Sequence, residues 1–110
     1  MDIIKLTREL GAAIQQDDRY AKFQAAQKAN EEDKDLNDLM GKIQLVHMSY
    51  QHEANKDDAN EEKLQAYDKE FTDVYRQVMA NSNMQAFEKA KEELDAMMKE
   101  ITGILSLCAQ

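Results

Sequence analysis

The sequence contains no proline, only three glycines and a single cysteine in 110 residues. A sheet domain of this size needs many turns, and the glycine and proline that would punctuate them are missing. Cys108 alone closes no internal disulfide, which fits a reducing compartment. No apolar run approaches the length that spans a bilayer, and Met1-Asp2-Ile3-Ile4-Lys5 is too polar for a signal peptide, so the expected location is the cytoplasm. Basic residues are also scarce. Fourteen Lys and Arg stand against 22 Asp and Glu, a net charge of −8. Phosphate backbones and anionic membrane surfaces would be repelled, so neither direct nucleic-acid binding nor membrane binding is expected.

What remains is helix-forming material. The chain is 43% hydrophobic, and Leu, Ile, Met and Ala supply most of that, without the β-branched and aromatic runs of strands. One all-α domain spanning residues 1–110 is expected, a helical bundle of about five long amphipathic helices. The first helix, near residues 2–16, places Ile3, Leu6, Leu10 and Ala13 at spacings of three and four. Asp17-Asp18 interrupts it and caps a short second segment with Tyr20 and Phe23 on one face. The third, near 33–54, carries Leu36, Leu39, Ile43, Val46 and Tyr50. After a polar loop from Asn55 to Asn60, the fourth carries Leu64, Tyr67, Phe71, Val74 and Val78.

Asn81-Ser82-Asn83 breaks the pattern, and Ser82 with Gln85 matches a capping box for the fifth helix. That helix has the cleanest register: Phe87, Ala90, Leu94, Met97, Ile101, Ile104 and Cys108. Leu36, Ile43, Phe71, Val74, Val78, Phe87, Leu94, Met97, Ile101 and Ile104 are therefore the expected core or oligomer seam. A second stripe of Met40, Leu45, Tyr75, Met98 and Leu105 widens the apolar faces beyond what a short chain buries, which points to a homo-oligomer. Gly11, Gly41 and Gly103 fall inside helices, where close helix approach or a kink would account for them.

A search for chemistry returns little. The residues three before His47 and His52 are Gln44 and Ser49, so the Glu-x-x-His pairs of di-iron bundles are absent. The two histidines are five apart, which turns them away from a common helix face. Cys108 has no neighbouring base in sequence and reads as a buried structural thiol at the end of an apolar stripe. The acidic runs Glu31–Asp35 and Asp57–Glu62 lack the calcium-loop pattern and suit helix starts. Arg8, Arg19 and Arg76 are scattered and read as surface residues. No catalytic residue, cofactor or metal site is expected.

The whole pattern resembles the YlbF/YmcA family of small helical proteins from Gram-positive bacteria. The resemblance rests on Glu9-Leu10-Gly11-Ala12-Ala13-Ile14, on Tyr20 with Ala25 and Ala26, and on the acidic junction from Asp33 to Asp35. Its most specific stretch is Asn81-Ser82-Asn83-Met84-Gln85-Ala86-Phe87-Glu88-Lys89-Ala90, where an Asn opens the last helix. The resemblance implies a non-enzymatic regulatory adaptor acting by protein–protein interaction in competence, sporulation and biofilm control. Its implied partners are further copies, other family members or an mRNA-processing endoribonuclease. Some members carry a cysteine-bearing tail linked to iron–sulfur clusters. Here Cys108 stands alone, and one thiolate cannot hold a cluster in a monomer. A metal- or redox-sensing bundle using Cys108 is the alternative.

Overall fold

Every helix in this chain starts at an Asp or Asn that accepts hydrogen bonds from the first free amides, the four donors a helix leaves unpaired. In the computed structural model, which describes residues 2–109, α1 spans Ile3–Gln16, α2 Asp18–Glu32, α3 Lys34–Ala54, α4 Glu61–Ala80 and α5 Ser82–Cys108, with no strand among the described residues. Asp2 caps α1 through Ile4 N (3.0 Å), and Asp17 accepts from Arg19 N (2.9 Å) at the start of α2. Asp33 caps α3 through Leu36 N (3.0 Å), and Asn60 caps α4 through Lys63 N (3.2 Å). Asn81, not Ser82, caps α5, accepting from Met84 N at 2.9 Å. The expected capping box is absent: the Gln85 amide donates to Met79 O at 3.1 Å instead.

The second helix is longer than the short segment expected. Its only large apolar side chains are Tyr20 and Phe23, and its later inward positions are alanines, which give good helix propensity but a faint periodic signal. The chain divides into two compact units, residues 1–29 with 86–110, and residues 30–85.

In the first unit α1 and α2 run antiparallel to α5. Phe23 meets Phe87 with ring centroids 5.3 Å apart, while Leu10 and Ile14 line a shallow recess with Met97 and Ile101. Met97 and Ala90 are buried, and Phe87, Leu94 and Ile101 are half-buried. Past Ile101 the stripe is uncovered. Ile104 is 55% exposed, and Cys108, expected as a buried thiol, is exposed as well. The physical reason lies opposite: Leu6 and Ile3 of α1 are themselves open to solvent, so nothing covers the end of α5.

The second unit is an α3/α4 hairpin. Leu36, Val46, Val74 and Val78 form its buried seam, and Ile43 and Phe71 are half-buried beside them. Glu53 is also buried. Its carboxylate accepts from Asn60 N and pairs with Lys56 Nζ, both at 3.0 Å, which ties down the connecting loop. Those donors hold its pKa below the ordinary glutamate value, the Asn60 amide contributing most. None of the three glycines has another element within 4 Å of where a Cβ would stand, and none has positive φ, so close approach within the chain does not explain them.

Candidate interaction surface

Three features of the two units bear on function: a latch between helix junctions, a shallow groove, and uncovered apolar faces. The latch belongs to the second unit. While one carboxylate oxygen of Asp33 caps α3, the other accepts from the side-chain amides of Asn81 (3.0 Å) and Asn83 (2.9 Å). The break before α3 and the break before α5 are thereby joined across about 50 residues by charge-assisted hydrogen bonds. The Leu36 amide, followed by the two asparagines, holds the Asp33 pKa below its ordinary value. Sequence reasoning placed Asp33 and Asn81 at helix starts but did not join them. The one available signal was that both breaks carry short amide or acid side chains able to reach beyond their own caps.

The groove lies between α3 and α4. Val46, His47, Tyr50, Tyr67, Asp68 and Phe71 line a space of about 230 Å³ that opens to solvent and has mainly apolar walls. Phe71 stacks on Tyr75 at 6.2 Å. Among the described residues no group of three His, Cys, Asp or Glu side chains converges as a metal site. Of the scattered arginines, Arg19 is committed to Asp17 in a two-point contact of 2.8 and 2.9 Å, which lowers the Asp17 pKa to about 2. Arg8 lies in the first unit, and Arg76 lines a polar surface recess of the second with Asp68 and Asp73.

The uncovered faces are extensive. In the first unit, Ile3, Ile4, Leu6 and Leu10 on α1 and Ile104, Leu105 and Leu107 on α5 are between 36% and 75% exposed. Taken against roughly 200 Å² for a fully exposed large aliphatic residue, these seven residues together expose about 800 Å², comparable to one partner's share of a standard protein interface. In the second unit, Met40, Leu45, Met48, Tyr75 and Met79 are exposed. No helix among the described residues is long and apolar enough to cross a membrane. Of the ten seam residues expected from the sequence, Leu36, Val74, Val78 and Met97 are buried. Ile43, Phe71, Phe87, Leu94 and Ile101 are partly covered, and only Ile104 is left outside.

The model for a family described as "Control of competence regulator ComK, YlbF/YmcA" matches residues 3–107. Neither the curated proteins nor the solved structures contain a match.

Proposed function

The chain belongs to the YlbF/YmcA family, and from that premise we propose that it is a non-enzymatic regulatory adaptor of the cytoplasm. It self-associates through one apolar helix face and docks a regulatory protein partner on another. Family membership supports the regulatory role, since the family is one of competence control and not of enzymes. The observation that carries the adaptor reading is the aliphatic patch on the ends of α1 and α5. Seven large side chains stand open there, with no charged residue among the seven. Such a patch is stable in water only at a cost in hydration free energy, which a docked helix relieves. A helix-in-groove contact is the mode it suits, because Ile3, Leu6 and Leu10 on α1, and Ile104 and Leu107 on α5, recur at spacings of three and four. The partner classes that fit are another member of the same family or an endoribonuclease.

Titration calorimetry with a purified family member tests this reading. The wild-type chain should bind, and Leu105→Glu, which places a charge in the patch without touching the buried seams, should abolish binding while preserving the melt. Binding of equal strength by wild type and variant would remove the patch from the interface.

A further inference from the structure

The groove between α3 and α4 has a composition that a helix seam does not require. Buried Val46 lines it together with three half-buried aromatic side chains, Tyr50 from α3 and Tyr67 and Phe71 from α4. Tyr67 and Phe71 are four residues apart, so both rings stand on one face of α4. Phe71 is held from behind by Tyr75, whose ring lies 10° from parallel at 6.2 Å. Among the described residues, neither Tyr50 nor Tyr67 packs ring against ring with another aromatic side chain. The space the three share is about 230 Å³, below the roughly 300–1,000 Å³ of ordinary small-molecule sites. It has room for one long side chain rather than a cofactor.

Asp68 brings a negative charge to the same wall. The ion pairs among the described residues are Asp17–Arg19, Asp18–Lys22 and Glu53–Lys56, so its carboxylate belongs to none of them. Lys69 and Arg76 share a neighbouring recess with Asp68, yet neither pairs with it. Aromatic faces attract cations, and a carboxylate beside them adds to that pull. An anionic occupant would meet both Asp68 and a chain of net charge −8. The mainly apolar walls then discriminate between cations. A lysine ammonium is compact and strongly hydrated, whereas a guanidinium is weakly hydrated and stacks flat on aromatic rings. Its planar array of N–H donors also matches acceptors spread over both helices, the Tyr50 and Tyr67 hydroxyls and the Asp68 carboxylate.

We propose that the α3/α4 groove receives an arginine side chain of a protein partner, its guanidinium among the rings of Tyr50, Tyr67 and Phe71 and paired with Asp68. The proposal rests on the adaptor reading above for the existence of that partner, and it names a residue the partner must present. The aliphatic α1/α5 patch supplies contact area but selects no particular side chain. The groove selects by charge and shape.

An NMR titration of the isotope-labelled full chain with N-acetyl-arginine methylamide tests it, beside the neutral citrulline analogue, the lysine analogue and tetramethylammonium. The arginine probe should shift the amides of Tyr50, Tyr67, Asp68 and Phe71 and saturate. It should bind about tenfold more tightly than the citrulline probe and about threefold more tightly than the lysine probe. Asp68→Asn should weaken it about tenfold and Tyr67→Leu about threefold. Asp73→Asn removes an exposed carboxylate of the same helix outside the groove and should change nothing. Equal binding of the citrulline probe overturns the proposal. So does equal weakening by Asp68→Asn and Asp73→Asn, which would mean diffuse attraction to an acidic surface. Tighter binding of tetramethylammonium would assign the groove to a small quaternary amine and overturn the partner's arginine. Should Tyr67→Leu fail to fold, Asp68→Asn decides alone, since it alters only an exposed side chain. Leu105→Glu should bind the probe as the wild type does. Failure of the groove therefore leaves docking on the α1/α5 patch standing, and failure of that docking leaves the groove standing.

Discussion

Truncation of Leu36 probes how the hairpin is held together. This side chain is 2% exposed, the most covered of the buried apolar residues, and it sits in the first turn of α3, in a hairpin whose buried apolar residues include Val74 and Val78 of α4. Leu36→Ala keeps the backbone amide that bonds Asp33, so the cap survives and only packing is lost. Removing three carbons at about 0.8 kcal/mol each accounts for about 2.4 kcal/mol of transfer free energy. The residual void adds about 1 kcal/mol, less than in a large core, because only six apolar side chains are buried among the described residues and the neighbours can relax inward. The total is about 3 kcal/mol, a drop on the order of 10–20 °C in Tm for a chain of this length. The natural control lies on the same helix: Leu45→Ala, at a 65% exposed position, should change the stability of the dilute protein by no more than about 0.5 kcal/mol. Thermal and urea melts followed by far-UV circular dichroism measure both. Equal losses for the two variants would refute the assignment of Leu36 and Val78 to the seam.

Two further outcomes follow from other contacts. Gly11→Ala should raise stability by about 1 kcal/mol, because the helix gains propensity and the new methyl meets nothing within 4 Å; a loss in the thermal melt would mean that another chain approaches there. Acid should destabilise the fold through Asp17, Asp33 and Glu53. All three have lowered pKa values, so the unfolded chain binds more protons once pH falls into its carboxylate range. Their contribution is complete above the ordinary values of 3.8 and 4.5 and drains away as pH falls toward about 2, where Asp17 titrates in the fold. A pH series of melts should show that decline, shallower in Asp33→Asn, and a Tm that rises on acidification through this window would contradict it.

Much of the architecture was legible in the residues. Three-four spacings of Leu, Ile and Val marked α1, α3, α4 and α5 to within a residue or two, because each helix buries a stripe against a neighbour. The second helix was underestimated because alanines at its inward positions carry little hydrophobic contrast. The Ser82 capping box failed for a different reason. Asn81 offers an equally good acceptor one residue earlier, and its amide is held by Asp33 from the other junction, a contact that no local pattern reveals. Cys108 and Ile104 fit the period of a buried stripe, yet period reports which side of a helix is apolar, not whether anything lies against it. The same distinction separates the core from the candidate surfaces. Leu45 and Leu36 are equally hydrophobic on one helix, and only the fold shows which one meets α4 and which one faces out.

The central claim is that this protein regulates through exposed helix faces and not through chemistry of its own. The most direct measurement is a ComK-dependent reporter in the native host, comparing the wild-type chain with a Leu6→Glu/Leu105→Glu variant that accumulates and melts normally. The account predicts that the variant behaves like a deletion of the whole chain. Reporter output indistinguishable from wild type would contradict it.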